Sequence, residues 1–337
     1  MPPRADPLPG PNIALTRDVP GAAILKIMNR MPRLAVSLLI SFVALVALSG
    51  CGALRGGAPT TNSATSSIPV GTATHTLQVD GQTRTYLSYR PADVADPAPL
   101  VMMLHGGFGS AAQAESAYGW NAEADAEHFV VVYPDGAGRA WNVGGGCCGA
   151  PGRTNVDDVE FLSAVVRDVE PAMPIDTSRV FATGISNGGM MAYRLACDTD
   201  LFAAIGPDSA TLLGDCPSPR PLSVLAIHGT ADQNIPYDGG QGSGFAKIDG
   251  PSIPDVNQLW RTAESCDPPA STTSGQVTTS TAACPGSRTV ELITIEGAGH
   301  QWPGSTKGRQ GADTPFAGLD ATTVIWTFFA AHPGASS

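Results

Sequence analysis

The chain has 337 residues with 19 basic and 30 acidic side chains, so its formal net charge at pH 7 is −11. Residues 1–50 carry five of the basic and two of the acidic side chains, which leaves the rest of the chain at −14. A surface this acidic repels phosphate backbones. We therefore exclude nucleic acid as a partner.

The first 50 residues have the features of an export signal. Basic residues precede the apolar run LAVSLLISFVALVALSG, which ends in small residues before Cys51, an order typical of secretory signal peptides. The sequence Leu48-Ser49-Gly50-Cys51 resembles the bacterial lipobox, whose cysteine is lipidated and becomes the first mature residue. We predict an exported protein that is anchored to the cell membrane by a lipid on Cys51. An uncleaved transmembrane anchor is the alternative, although the run is short for a spanning helix.

A tether is expected between this signal and the folded part of the protein. Residues 51–73 are rich in Gly, Ser, Thr, Ala and Pro and have almost no charge, a composition typical of flexible linkers. Residues 74–337 are enough for one α/β domain with a large core. We find no internal repeat, and we expect a single folded domain that is monomeric.

Six cysteines follow Cys51, an even number that predicts disulfide bonds in an exported chain. Pairing between neighbours in sequence is the simplest arrangement: Cys147 with Cys148, Cys197 with Cys216, and Cys266 with Cys284. Six cysteines allow 15 connectivities, so other pairings stay open. A metal cluster is the weaker interpretation, because no histidine lies at zinc-ligand spacing from these cysteines. We predict no metal site.

The pattern of apolar residues predicts the sheet. HTLQVDGQTRTYLSYRP alternates apolar and polar residues around Asp80-Gly81, which indicates a tight hairpin. APLVMMLHGG, HFVVVYPDG, SRVFATG, LSVLAIHG and VELITIEGAGH are apolar runs typical of strands covered on both faces. Segments of helical character separate them. We predict a mostly parallel, doubly wound α/β sheet with helices on both faces and a site beyond the carboxyl ends of the strands.

Two segments near the C-terminus have different patterns. STTSGQVTTSTAACPGS is polar and rich in Thr and Ser, which indicates a small surface excursion closed by a disulfide. DATTVIWTFFAAH has apolar residues at helical spacing, which predicts a terminal packing helix.

The segment FATGISNGGMMAY places Ser186 between a predicted strand and a predicted apolar helix. Gly184 and Gly188 flank it in the G-x-S-x-G pattern of a nucleophile on a sharp strand-to-helix turn. The N-terminus of the following helix favours negative charge that develops on a substrate oxygen. We predict that Ser186 is a nucleophile. A glycine-rich bend around a small residue is the alternative.

A serine nucleophile needs a base that takes its proton and a carboxylate that orients the base. The expected chain order in this kind of fold is Ser, then Asp or Glu, then His. His300 follows the last predicted strand, and Asp232 follows the strand before it. The sequence therefore predicts a catalytic triad of Ser186, Asp232 and His300.

Three other aspartates compete for the role of the acid: Asp157, Asp158 and Asp238. The adjacent pair in NVDDVEFL lies where a helix is expected to begin, and Asn155 or either aspartate could cap its N–H groups. We interpret that pair as capping residues and keep Asp232 as the predicted acid.

The negative oxygen of a tetrahedral intermediate needs two N–H donors near the nucleophile. One is predicted to be the amide of Asn187, the residue after Ser186. The other is expected from LHGGFGS after an early strand, most simply Gly107, with Phe108 as the next choice. Glycines that merely permit a tight turn are the alternative interpretation of this segment.

Seven motifs occur in one order along the chain: LHGGFGSA, YPDG, WN with CCG, NVDDVEFL, GISNGGMMAYRLAC, HGTADQNIPY and GHQWPG. Together they resemble the polyhydroxybutyrate depolymerase and feruloyl esterase group of α/β-hydrolases, and with the lipobox they are similar to lipoprotein esterases of actinobacteria. The resemblance implies a serine carboxylesterase that forms an acyl-enzyme and needs no cofactor. It gives the triad roles to Ser186, Asp232 and His300, and the oxyanion hole to Gly107 and Asn187.

The resemblance leaves the ester open, since the group acts on short-chain, hydroxycinnamoyl and hydroxyalkanoate esters. Depolymerases that attack solid polyester usually add a substrate-binding domain, and none is recognisable after His332. We therefore expect a compact esterase for soluble or wall-attached esters.

Trp141 and Trp302 are predicted to line the substrate site, with core packing as the alternative. A serine peptidase of the same fold and a non-catalytic surface-binding lipoprotein are the competing functions.

Overall fold

The computed structural model describes residues 67–305 and 313–334. The predicted signal peptide, the predicted lipidation residue Cys51 and most of the predicted tether lie outside the described residues. Strand β1 (Gly71–Val79) begins within the predicted tether, of which it includes the last three residues. None of the helices within these two ranges has the length and apolar character needed to cross a bilayer.

Ten of the strands in the described residues belong to one sheet. They are β1, β2 (Gln82–Arg90), β3 (Ala98–Leu104), β4 (Val130–Pro134), β5 (Ile175–Ile185), β6 (Ala204–Asp208), β7 (Ser223–Gly229), β10 (Ala270–Ser274), β11 (Val277–Cys284) and β12 (Arg288–Ile295). Strands β8 (Gly240–Gln241) and β9 (Asp249–Gly250) form a separate short ladder. The helices are α1 (Ala111–Ala117), α2 (Trp120–Glu127), α3 (Gly149–Thr154), α4 (Asp158–Val169), α5 (Asn187–Asp198), α6 (Ile253–Ala263) and α7 (Ala321–Ala331).

The sheet has the order β1-β2-β4-β3-β5-β6-β7-β12-β11-β10. Its six central strands, from β4 to β12, are parallel, and the two strands at each edge are antiparallel additions. Parallel strands require crossover connections, and helices lie in all of them except the one from β6 to β7. The predicted doubly wound α/β fold is confirmed.

The hairpin at the start of the sheet has the predicted tight turn. Val79 pairs with Gln82, so the loop has only two residues. Asp80 and Gly81 have φ values of 49° and 74°. Positive φ at both central positions is what a type I′ turn requires, and its twist matches that of the flanking strands.

Two apolar layers cover the sheet, one on each face. Along β3, Leu100, Met102 and Leu104 enter one layer, whereas Val101 and Met103 enter the other. The first layer packs against α4, α5 and α6, and the second against α1, α2 and α7. All five of these β3 side chains are fully buried, and each such side chain contributes roughly 1.5–3 kcal/mol of burial free energy. The carboxyl ends of the parallel strands are thereby held in fixed positions.

Two parts of the sheet were not predicted. Strand β6 is short and contains Gly206 and Pro207, which usually weaken a strand, yet it is buried along its whole length between β5 and β7. The Thr- and Ser-rich segment is not a small excursion, because β10 and β11 extend the main sheet beyond β12. The predicted terminal helix is present as α7.

Three disulfides are present among the described residues: Cys147–Cys148, Cys197–Cys216 and Cys266–Cys284. They are the predicted pairs between sequence neighbours. The second joins the end of α5 to the segment after β6, and the third joins the segment after α6 to the end of β11. These two disulfides join residues 19 and 18 positions apart. In the chain-entropy description, each cross-link of this length stabilises the folded protein by about 3 kcal/mol, because it restricts the unfolded chain.

Candidate active site

Ser186 lies on a sharp turn between β5 and α5. Its φ and ψ are 57° and −123°, a left-handed conformation that is uncommon for residues other than glycine and often occurs at functional sites. Its N–H donates to the carbonyl oxygen of Asp208 (2.9 Å), and its own carbonyl accepts from Met190 N–H (2.8 Å). These bonds fix the turn on both sides of a half-buried serine.

The two glycines beside Ser186 are required by close backbone approach. A Cβ on Gly184 would lie 2.7 Å from the carbonyl oxygen of Leu104, and a Cβ on Gly188 would contact the same oxygen even more closely. Any side chain at either position would therefore push the turn away from the end of β3. This explains physically why the G-x-S-x-G pattern occurs here.

His300 and Asp232 form a direct hydrogen-bonded pair. Nδ1 of His300 lies 2.7 Å from Oδ2 of Asp232, whose side chain is fully buried. The other carboxylate oxygen accepts the N–H groups of Asn234 (2.8 Å) and Ile235 (2.9 Å). An ionised carboxylate can only accept, so Nδ1 carries the proton. Nε2 of His300 is then the nitrogen able to accept one.

The charge state of Asp232 follows from its surroundings. Burial raises the pKa of the Asp232 carboxyl, but the hydrogen bond and charge of His300, together with His228 and the Ile235 amide, lower it by more. The net pKa is therefore below the ordinary value for an aspartate. Asp232 is ionised at neutral pH and can stabilise a positive charge on His300.

The end of β6 connects the serine turn to the histidine loop. The backbone carbonyl of Asp208 accepts the N–H of Ser186, as described above. The next residue, Ser209, donates its hydroxyl to the carbonyl of Gln301 (3.2 Å). Ser209 N–H also donates to Ile227 in β7 (2.9 Å). Consecutive residues of one strand end thus bind the backbone of both loops, so the structure places Ser186, Asp232 and His300 at the same edge of the sheet.

The two predicted oxyanion donors lie next to each other. Asn187 is the first residue of α5, where a backbone N–H has no partner within the helix. A Cβ on Gly107 would lie 3.9 Å from the Cβ of Asn187. The amide of Phe108, the second choice, already donates to the carbonyl of Arg139 (2.8 Å). The donor roles of Asn187 and Gly107 stay predictions.

Side-chain and backbone hydrogen bonds hold the oxyanion segment in place. His105 accepts the N–H of Gly136 at Nε2 (2.9 Å), so its proton is on Nδ1, which lies 2.8 Å from the carbonyl oxygen of Gly106. Burial lowers the pKa of His105, which keeps the ring neutral. The indole N–H of Trp141 donates to the carbonyl of His105 (2.8 Å).

Asn187 is fixed through its side chain. Its Oδ1 accepts the backbone N–H of Trp141 (2.7 Å), and its Nδ2 donates to the carbonyl of the same residue (3.1 Å). Because Trp141 also binds His105, the first turn of α5 and the Gly107 segment are tied to one common residue.

Comparisons with known proteins identify the family. A family model described as "Esterase PHB depolymerase" matches residues 84–233. The putative esterase NocK of Nocardia uniformis subsp. tsuyamanensis is 33% identical over 326 residues, which cover 83% of this chain and 91% of that protein. This chain belongs to the esterase PHB depolymerase family. It is an α/β-hydrolase and an esterase.

Other matches agree with this assignment. Feruloyl esterase C of Emericella nidulans is 30% identical to this esterase over 248 residues, which cover 71% of this chain and 80% of that protein. The solved structure of acetyl xylan esterase from Aspergillus awamori superposes with a TM-score of 0.55 at 15% identity, covering 77% of this chain and 99% of the other. At that identity the likeness shows the fold.

The two predicted substrate-contacting tryptophans are buried in this esterase. Trp141 is 0% exposed and makes the hydrogen bonds described above. Trp302 is 2% exposed, donates its indole N–H to Thr322 (3.0 Å) and packs against the ring of Tyr118. These contacts are those of the core-packing alternative, so neither ring presents a surface to a substrate.

The competing aspartates have other contacts. Asp157 caps α4, since its carboxylate accepts the N–H of Glu160 (2.9 Å). Asp158 was expected to cap as well, but it is buried, pairs with Arg84 (2.7 Å) and accepts the N–H of Asn142 (2.8 Å). Asp238 is exposed.

A second histidine contacts the predicted acid, and this contact was not predicted from the sequence. His228 is buried, and its Nε2 lies 2.9 Å from the carbonyl oxygen of Ile235 and 3.4 Å from Oδ2 of Asp232. Burial lowers the pKa of His228 to about 4, although the charge of Asp232 opposes this shift. His228 is therefore neutral at physiological pH and places an N–H beside the carboxylate.

The low pKa of His228 predicts a pH dependence of stability. In the unfolded chain this ring takes up a proton near pH 6.5, whereas in the folded protein it does so only near pH 4. Between these values the unfolded state binds more protons, so the free energy of unfolding falls as the pH is lowered. His228→Gln keeps an N–H donor without a titrating ring. When the pH is lowered from 7 to 4.5, we expect its free energy of unfolding to fall by about 2–3 kcal/mol less than that of the wild type.

Urea denaturation of both proteins at several pH values measures this difference. The other buried histidines are present in both proteins, so their contributions cancel in the comparison. Parallel curves for the wild type and the variant would show that His228 is not the group responsible.

Proposed function

We propose that this esterase hydrolyses carboxylic esters through an acyl-enzyme on Ser186. The pair of His300 with buried Asp232, at the same sheet edge as a serine in a left-handed turn, is the observation that carries the proposal. A base oriented by an ionised carboxylate is what a serine hydroxyl needs to become a nucleophile. One chain supplies every residue of this site, which supports action as a monomer.

In the proposed reaction, Nε2 of His300 takes the proton from Oγ of Ser186 while Oγ bonds to the ester carbonyl carbon. The carbonyl oxygen becomes negative and accepts the N–H groups of Asn187 and Gly107. His300 then gives its proton to the departing alcohol oxygen as the carbon–oxygen bond breaks. Water, deprotonated by His300, attacks the acyl group, and collapse of the second intermediate returns the proton to Ser186 and releases the acid.

Two features of the site support this sequence of charges. Asp232 is ionised and lies against the ring that becomes positive, and α5 begins directly after Ser186, so its N-terminus favours negative charge that develops beside the nucleophile. The neutral His228 adds no second positive charge beside the imidazolium. The site therefore compensates one positive and one negative charge at the moment both develop.

The names of the relatives suggest which esters to test. They include feruloyl esterase and acetyl xylan esterase, and we propose short-chain, hydroxycinnamoyl or hydroxyalkanoate esters as the substrates. The purified domain should be assayed on p-nitrophenyl acetate, methyl ferulate, acetylated xylan and hydroxybutyrate oligomers, with a peptide anilide as the peptidase arm. Turnover of the anilide alone would replace our proposal with a peptidase. Turnover of none of these would support the non-catalytic alternative.

We also propose that the enzyme works outside the cytoplasmic membrane on a lipid anchor. The motif at Leu48 to Cys51 supports this location, as does the uncharged segment that follows. The tether would let the domain reach esters near the membrane surface.

Replacement of the lipidation residue tests the anchor. We expect Cys51→Ala to move the full-length protein from the membrane fraction to the soluble fraction, because without the thiol no lipid can be attached. Ser63→Ala, in the same tether, should leave the distribution unchanged. Mass spectrometry of the wild type should find lipid on Cys51, and an unmodified thiol there would contradict the proposal.

A further inference from the structure

Two exposed aromatic rings contact each other beside the proposed site. Among the described residues, three large apolar side chains are exposed: Val70 (57%), Phe108 (50%) and Phe245 (88%). The rings of the two phenylalanines meet edge to face, with centroids 5.5 Å apart and planes at 69°. Isolated exposed apolar residues are ordinary, but an exposed pair of apolar rings beside a reaction site is typical of a surface that binds a ligand.

Phe108 directly follows the predicted oxyanion donor Gly107. Its φ of 62° is a conformation that bulky residues rarely adopt. Its N–H donates to the carbonyl of Arg139, and its carbonyl accepts from the guanidinium of the same residue. The backbone is thus held on both sides in a strained conformation that directs an apolar ring to the surface, and such strain is often a sign of function.

Phe245 belongs to the segment 242–248, which is attached to the loop of the catalytic acid. Ser243 N–H donates to the carbonyl of Gln233 (2.8 Å), the residue after Asp232. Gly242 N–H donates to Ile248 (2.7 Å), which closes the base of the segment. The contact between the two rings therefore connects the predicted oxyanion segment to the loop that carries Asp232.

We propose that Phe108 and Phe245 form an aromatic clamp that binds an aryl group of the ester and makes the enzyme prefer aryl esters to small alkyl esters. The proposal rests on the serine esterase function proposed above. An aryl ring can add to the edge-to-face pair through its own face or edge, in the geometry that aromatic rings prefer. The position next to Gly107 puts the clamp within one residue of the donor to the reacting carbonyl oxygen.

The decisive measurement is a ratio of kcat/KM values within each variant. Methyl cinnamate carries the ring on the acyl side, phenyl acetate carries it on the alcohol side, and methyl acetate carries none. We expect Phe245→Ala to lower kcat/KM about 3- to 10-fold for at least one of the two aryl esters, mainly through KM, and to leave methyl acetate unchanged. The ester that responds identifies the side of the substrate that the clamp binds.

Three further variants make the test specific. Phe245→Leu keeps an apolar side chain without a ring and should show most of the same loss, whereas Phe108→Leu tests the other ring. Val70→Ala, at an exposed apolar residue directly before β1, should change none of the ratios. Since Phe245 is 88% exposed, its replacement should not disturb folding, and thermal midpoints check this.

Failure of the clamp and failure of the esterase function give different results. The clamp is refuted if the wild type hydrolyses these esters and Phe245→Ala leaves the ratios of their kcat/KM values unchanged. A decrease in kcat/KM by the same factor for all three esters leaves the ratios unchanged and therefore counts as this result. If the wild type hydrolyses none of them, the function on which the clamp rests is refuted instead.

Discussion

Ser186→Ala should lower kcat for ester hydrolysis on the order of 10⁴-fold or more, the scale of loss when a nucleophile of a triad is removed. The substitution deletes only Oγ from a half-buried side chain and leaves the bonds of its backbone to Asp208 and Met190 in place. The thermal midpoint should therefore stay near that of the wild type. Hydrolysis of p-nitrophenyl acetate and labelling by a fluorophosphonate should both disappear.

Ser209→Ala is the matched control for this experiment. Ser209 is a second serine at the same sheet edge, also with positive φ, and its hydroxyl binds the carbonyl of Gln301 beside the base. Loss of that one hydrogen bond should lower the rate about tenfold or less, and labelling should persist on Ser186. Retained labelling in Ser186→Ala would assign the nucleophile to another residue.

The strands that could be predicted from the sequence are those whose pattern is local. β3, β4 and β7 are continuous apolar runs because helices cover both of their faces, and the hairpin turn is visible in Asp80-Gly81. β6 could not be predicted, since its burial comes from two neighbouring strands rather than from its own five residues. β10 is exposed along its length, so it lacks the alternation of apolar and polar residues that marks a strand.

The residues of the site also fall into those that a local pattern predicts and those that it does not. Ser186, Asp232 and His300 follow strands in a fixed chain order, which is a local signal repeated three times. The contact of His228 with Asp232 depends on how the loop after β7 folds back, and residue type alone does not reveal it.

Contacts between distant segments account for the other differences. Arg84, the partner of Asp158, lies in the second strand of the sheet, so no local pattern distinguishes a buried ion pair from a helix cap. The same holds for the clamp, whose two rings belong to segments far apart in the chain. The burial of Trp141 likewise results from packing between segments.

Asp232→Asn should lower kcat by roughly 10³- to 10⁴-fold with little change in KM, the scale known for the carboxylate of a triad. The N–H groups of Asn234 and Ile235 require an acceptor at Oδ1. An asparagine would keep its carbonyl oxygen there and would turn its NH₂ toward Nδ1 of His300. That nitrogen would then have to accept rather than donate, so the proton would move to Nε2, the atom that must receive the proton of Ser186.

The two aspartates of α4 are the comparison for this prediction, measured by kcat and thermal midpoint together. Asp157→Ala removes a helix cap and should cost about 1 kcal/mol of stability with normal kcat. Asp158→Asn leaves Arg84 buried without its counter-ion, which should cost about 3 kcal/mol and lower the thermal midpoint by roughly 10 °C, again with kcat retained in the folded enzyme. The triad assignment is wrong if Asp232→Asn stays near wild-type activity while either α4 variant loses activity without losing stability. The expected pattern is the reverse, because only Asp232 contacts the base, whereas the other two carboxylates contact groups that hold the fold.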